Sequence, residues 1–260
     1  MCSSDLPWDD RYGASIRVKT NIAEVLRREL ARASWERETV VLGAATDPYQ
    51  PAEGRYRLTR AMLEVFAETR GLHIGLITKS DLITRDIDLF REISRRHYLT
   101  LVLTITTLDR ELARRMEPLA PRPDLRLAAL RKLRAAGLHA GVNVAPILPL
   151  INDSDASIDA VAKASARAGA SVLRGSIVYL KPCAQAAFFP FLSEHYPALV
   201  RRYRERFERS AYLRGSYPET IRERLNRIRR RYGFGGETER PAPELWPHDP
   251  QMTLFSEGEP

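Results

Sequence analysis

The chain has 260 residues, 44% hydrophobic and 28% charged, enough to bury one substantial core without requiring a second main domain. No apolar run approaches the length of a membrane span and the first residues do not read as a secretory signal, so a cytoplasmic protein with no membrane partner is expected. The net charge of +8 favours an anionic partner, but it is carried almost wholly by arginine, the only lysines being Lys19, Lys79, Lys132, Lys163 and Lys181. Such a bias alongside abundant alanine is also what a GC-rich genome produces, which weakens a nucleic-acid reading. Cys2 and Cys183 are too few and too far apart for a disulfide framework or a metal site.

In chain order, the first strong element is the run Val40, Val41, Leu42, consecutive and apolar and therefore expected to be a strand buried on both faces. Gly43, Ala44 and Ala45 follow without bulk, which implies that something lies close to that backbone. Thr46 and Asp47 come next, and Pro48 and Pro51 stiffen the exit before a helical pattern resumes near Tyr56. The unit then repeats. A strand from about His73 to Lys79 precedes the helix in ITRDIDLFREISRR. A third strand ends at Thr104 to Thr107, with Asp109 near the start of the next helix. The helix PDLRLAALRKLRAAG closes at Gly137 and leads to a fourth strand with prolines at its exit. A further helix and the strand SVLRGSIVYL complete the series. Strands alternating with helices predict a parallel sheet with right-handed crossovers. Residues 191–232 read as arginine-rich helices forming a cap, and residues 233–260 as a flexible tail without periodicity.

In such a fold the strand carboxyl ends converge. They would bring together Thr46, Asp47, Lys79, Ser80, Thr104 to Thr107, Ala145 and Pro146, a hydroxyl-rich mouth with one cation and one acid. Phosphate is a poor fit there, because no glycine-rich loop precedes these helices. An adenosine with a charged amino-acid tail fits better. Asp47 is the weakest of these candidates, since it also suits an ordinary turn or cap.

The ordered segments VLGAATDPYQPAEGRYRLTRAMLEV, ITKSDLITRDIDL, TTLDRELARRMEP and AALRKLRAAGLHAGVNVAPILPLIND resemble the radical S-adenosylmethionine (radical SAM) proteins related to spore photoproduct lyase, over most of residues 16–180. The resemblance implies an α/β fold, a partial (βα)6 TIM-type barrel at residues 16–190 lacking its first strand. It also implies S-adenosyl-L-methionine and a 4Fe-4S cluster as cofactors, a 5′-deoxyadenosyl radical as the reactive species, and DNA repair as the setting. Carried over by position, Thr46 would contact the methionine moiety, Lys79 its carboxylate, and Thr104 the ribose or carboxylate side. Ala145 would lie against adenine. Three thiolates in a CxxxCxxC loop would hold the cluster and leave one iron open to S-adenosylmethionine. This sequence contains no such triplet. Cys2 to Leu6 is what a common sequencing-adaptor end encodes, so residues 1–15 are expected to be a non-native or disordered start of a truncated chain, the alternative being a degenerate member that has lost its cluster, and the chain is expected to lack activity as it stands. The hydrogen-donor cysteine of the lyase is also absent, with Ala44 and Ala45 at that place.

Two further readings compete. A Schiff-base lysine at Lys79 would make an aldolase-type barrel but leaves the TDPYQP and VAPILP segments without a role. An arginine-rich nucleic-acid binder without catalysis would use the C-terminal helices. In the tail, Gln251, Met252, Leu254 and Phe255 resemble the QLxLF pentapeptide that docks bacterial DNA-replication and repair proteins on the sliding clamp.

Overall fold

The computed structural model describes residues 18–35 and 38–234. Five strands, β1 (Val40–Leu42), β2 (His73–Thr78), β3 (Tyr98–Thr104), β4 (Ala140–Ile147) and β5 (Leu173–Ile177), form one sheet in sequential order, with every neighbouring pair parallel. Helix α1 (Ile22–Leu30) precedes β1, and α2 (Glu53–Tyr56) and α3 (Leu58–Ala67) connect it to β2. The remaining crossovers are α4 (Ile87–Arg96), α5 (Arg110–Met116) with α6 (Pro123–Ala135), and α7 (Asp155–Arg167). After β5 come α8 (Pro182–His195), α9 (Val200–Phe207) and α10 (Ser216–Arg231). None of the described helices is long and apolar enough to cross a membrane.

Local chemistry sets these boundaries. Ser80, Asp109 and Ser154 each accept a backbone N–H at a helix start, which satisfies donors that the helix cannot pair internally. Pro123 opens α6, where its missing N–H costs nothing. Gly137, at φ +81°, turns the chain out of α6 in a conformation other residues resist.

The period-two alternation of the strands sorts the sheet into two faces. Ile74, Leu76, Leu99, Leu101, Leu103, Val142, Val144 and Leu173 meet Phe66, Phe90, Ile93, Leu130, Ile158 and Val161 from the helices in one continuous core. The opposite face carries Gly75, Ile77, Thr100, Val102, Asn143 and Arg174. These align across strands as Gly75 with Thr100, Ile77 with Val102, and Asn143 with Arg174.

Three expectations change. Strand β1 has β2 as its one partner among the described residues and is not buried on both faces: Val41, in register with Gly75 on the face opposite the helical core, is 44% exposed. The helical region begins at Pro182 rather than residue 191, with Pro190 accommodated inside α8. Nor is that region one cap. Helices α8 and α9 build a second cluster around Leu192, Tyr203 and Phe207, whereas Ile221, Leu225 and Ile228 of α10 belong to the main core.

At the amino end of the sheet, the fully buried His97 ties three elements together. Its Nδ1 accepts the Leu72 N–H at 3.1 Å, and its Nε2 lies 2.9 Å from the Phe66 carbonyl, so the neutral ring protonated on Nε2 satisfies both contacts. Burial holds its pKa below the ordinary 6.5. The stability this group confers is therefore complete above pH 6.5 and is lost as pH falls from there towards the depressed value. Urea midpoints measured at pH 7.5 and 5.5 should fall further in the wild type than in His97→Gln, and the variant should be roughly 1–3 kcal/mol less stable at pH 7.5.

Candidate functional site at the strand carboxyl ends

The break after β1 is a brace between two strand ends. Gly43 has φ +101°, and a Cβ there would lie 2.1 Å from the Ile77 carbonyl oxygen, so the close neighbour expected from the small residues is the end of β2. Asp47 then spans the gap. Its Oδ1 accepts the Tyr49 N–H (2.9 Å) and the Thr78 hydroxyl (2.5 Å), and its Oδ2 accepts the Lys79 N–H (2.8 Å). Ser80 is also structural, donating its N–H to Thr78 Oγ1 and accepting the Leu82 N–H.

A buried ionic cluster supports this loop. The fully buried Asp86 accepts from the Tyr49 hydroxyl (2.9 Å), Arg60 (2.8 Å) and Arg85 (2.9 Å), while Glu53 accepts from Arg85 (2.7 Å) and the Thr59 N–H (2.9 Å). Burial pushes the Asp86 carboxyl upward, but the hydrogen bonds from Arg85, Arg60 and Tyr49 outweigh it and leave it below the usual range. Burial and the Asp86 charge push the Tyr49 hydroxyl strongly up, so it remains a donor. The prolines and tyrosine of TDPYQP thus fix Asp47, and with it the exposed Thr46, which lines a cavity of about 230 Å³ with Lys19, Gln50 and Met62.

Above β3 lies a second node, centred on Glu117. Its Oε1 is 2.8 Å from Lys79 Nζ and 2.7 Å from the Thr106 hydroxyl, and its Oε2 accepts from Arg126 Nη2 at 2.6 Å. The buried Arg126 also donates to the carbonyls of Pro121 (2.7 Å) and Thr104 (2.8 Å). The Thr106 hydroxyl lies 2.8 Å from the Ala145 carbonyl as well, so its single proton is shared between two acceptors. Asn152, 1% exposed, donates to the Thr106 and Pro146 carbonyls and accepts the Leu148 N–H, closing the ends of β3 and β4. Burial pushes the Glu117 carboxyl up, and the charges of Lys79 and Arg126 more than offset this, so it lies below its ordinary 4.5.

Of the residues expected at the mouth, Lys79, Thr104 and Ala145 are therefore joined in one hydrogen-bonded assembly. Thr46 stands apart at the β1 exit, and Asp47 and Ser80 are occupied in bracing. Lys79 is neither a snorkelling surface lysine nor desolvated: its side chain is 38% exposed and paired with a carboxylate that is 8% exposed. Sequence reasoning missed Glu117, Arg126 and Asn152. Glu117 reads as the frayed end of α5, Arg126 as one more arginine on a helix, and Asn152 as a turn residue. The tail residues Gln251, Met252, Leu254 and Phe255, like Cys2, lie outside the described residues.

A family model of the radical SAM superfamily matches residues 7–161, so the chain belongs to that superfamily. Over 232 residues it is 40% identical to an uncharacterized protein of Mycobacterium tuberculosis, covering 89% of this chain and 68% of the relative. An uncharacterized protein of Methanocaldococcus jannaschii is 27% identical over 143 residues, 55% of this chain and 51% of that one. Among solved structures, spore photoproduct lyase superposes with a TM-score of 0.58 at 19% identity, covering 85% of this chain and 66% of that one. The lyase with bound AdoMet and dinucleoside spore photoproduct gives 0.58 at 17%, covering 88% and 70%. These likenesses establish the α/β fold of that lyase, with its parallel strands flanked by helices. The chain spans about two thirds of the length of the mycobacterial relative and of the lyase.

The superfamily implies S-adenosylmethionine and an iron–sulfur cluster. For the cluster the residues present do not fit: among the described residues no group of three or more His, Cys, Asp or Glu could hold a metal ion, and the sequence has two cysteines, of which Cys183 lies alone on α8. For S-adenosylmethionine the donor set fits, because an ammonium has three N–H donors and Glu117 engages one face of Lys79 while leaving it partly open. Replacing Glu117 by Gln would leave the Arg126 guanidinium, 2% exposed, without its counter-ion. Glu117→Gln should cost roughly 3–5 kcal/mol in chemical denaturation at pH 7. Lys79→Met should cost less, because Arg126 still balances the carboxylate. The Glu117 contribution is present above pH 4.5 and is lost as pH falls through its depressed value, so the acid limb of the wild-type stability curve should be steeper than that of Glu117→Gln.

Proposed function

We propose that the strand carboxyl ends of this chain bind S-adenosylmethionine, in a radical SAM enzyme of the spore photoproduct lyase-like type that acts in DNA repair. The observation that carries the reading is Lys79: a partly exposed ammonium set at the mouth of a radical SAM fold and oriented by a buried carboxylate. Its free N–H donors suit the carboxylate of the methionine moiety, and Glu117 fixes the direction in which they point. The exposed Thr46 hydroxyl would take the amino-acid tail from the β1 side. Fixing both ends before the ligand arrives spares the entropy of ordering them on binding.

Support comes from superfamily membership and from the lyase structure with AdoMet, whose fold the chain shares. The chain's own residues bind and orient; they do not supply the three thiolates of a cluster. By the resemblance, Ala44 and Ala45 would stand where the lyase has its hydrogen donor, which favours an outcome other than reversal of the spore lesion.

Calorimetric titration of the purified chain with S-adenosylmethionine should show binding that Lys79→Ala weakens by roughly 1.5–3 kcal/mol, the worth of a charge-assisted hydrogen bond. Metal analysis of the same sample should find no stoichiometric iron. Equal affinity in wild type and variant would refute the role of Lys79, and an iron-loaded chain would refute the reading of its cysteines.

A further inference from the structure

The non-helical face of the sheet holds a cavity of about 420 Å³ that the strand-end chemistry does not use. Its floor is Ile77 of β2, Val102 of β3, Asn143 of β4 and Arg174 of β5, and its wall is the stripe of α10 that carries Arg222 and Arg229. Among the described residues, no Asp or Glu lines it. Arg174 lies in mid-strand on this face and is exposed, so its guanidinium is open to an anion arriving from solvent. In register, Thr104 neighbours Asn143 and Asn143 neighbours Arg174. At ~4.8 Å per strand, Arg174 stands about 10 Å across the sheet from Thr104.

The wall is held rigidly in place. Gly175 lets α10 lie directly on β5, since a Cβ there would meet Leu225 at 2.7 Å. Arg224 and Arg227 pair with Asp155, Arg231 pairs with Asp159, and Tyr217 donates to Asp153 at 2.9 Å, so the other side of α10 is fastened to α7 and the chain before it. These contacts engage the arginines of that side, while Arg222 and Arg229 line the cavity, Arg229 also donating from Nη2 to the Phe234 carbonyl at 3.4 Å. The Nε of Arg229 is buried and has no hydrogen-bond partner among the described residues, a donor left for something that enters.

We infer that this cavity is an oxyanion seat, in which Arg174, Arg222 and Arg229 grip a phosphate group of the substrate while Asn143 supplies a neutral hydrogen bond. Guanidinium forks match phosphate oxygens in shape as well as in charge. The inference rests on the S-adenosylmethionine reading for the word substrate, and it gives that substrate a chemical class, a phosphate-bearing molecule, with the anion beside the cofactor site.

The full chain is titrated at low ionic strength with inorganic phosphate, with dithymidine monophosphate as a phosphodiester, and with thymidine as the probe lacking phosphate. At least one phosphate probe should bind more tightly than thymidine and should lose at least tenfold in affinity in Arg174→Gln/Arg222→Gln. The preferred probe distinguishes a terminal phosphate from a diester. Arg201→Gln/Arg202→Gln removes the same charge from α9 and should leave affinity unchanged. The inference is overturned if neither phosphate probe binds better than thymidine, or if both double variants lose affinity equally, which would mean net charge alone. S-adenosylmethionine is titrated in parallel. Its failure to bind while phosphate binding persists would refute the cofactor reading alone, and the converse would refute the oxyanion seat alone.

Discussion

A carboxylate taken out of water beside β3 organises this structure. Glu117 is costly to bury alone, and it is tolerated because Arg126 and Lys79 meet its oxygens from opposite sides. The solution has geometric consequences. Arg126 reaches Glu117 while also engaging the Thr104 and Pro121 carbonyls, which ties α6 to the end of β3. Lys79 can reach it only from the end of β2. One ion cluster therefore sets the relative positions of two consecutive crossovers, and the mouth inherits its shape from that requirement.

The β1 side solves the same problem with another set of acids. Asp47, Glu53 and Asp86 are satisfied by backbone N–H groups, two arginines and the Tyr49 hydroxyl. Parallel strands leave their carboxyl ends with polar groups that no neighbouring helix can pair, and loops that carry their own acids and arginines supply the missing partners. In a chain with 41 basic residues, many arginines serve this internal accounting rather than an external anion. That separates them by role: Arg60, Arg85 and Arg126 hold the mouth, Arg224, Arg227 and Arg231 fasten α10, and Arg174, Arg222 and Arg229 border a cavity that no acid lines among the described residues.

Much of the scaffold was legible before the structure. Apolar runs at β2 to β5, the periodic helices between them, Asp109 at a helix start and Gly137 at a helix end all follow from local rules that hold in any context. Where local rules failed, a distant partner decided the outcome. Val41 reads as core until its register with Gly75 places it on the face opposite the helical core. Gly43 to Ala45 correctly announced a close approach, but the approaching group, the Ile77 carbonyl, is 34 residues away in sequence and invisible to pattern.

The sequence by itself determined the alternation of strands and helices, the order of the strand ends and the presence of Lys79, Thr104 and Ala145 among them, because hydrophobic period and turn chemistry are properties of neighbouring residues. Tertiary structure alone decided that these three meet through Glu117 and Arg126, and that α10 joins the main core instead of capping it. Both outcomes depend on pairing across long separations, where any of many arginines would satisfy composition and one position satisfies geometry. Charge was written in the sequence; which acid each arginine answers, and which arginines are left facing an open cavity, was settled when the sheet and α10 came together.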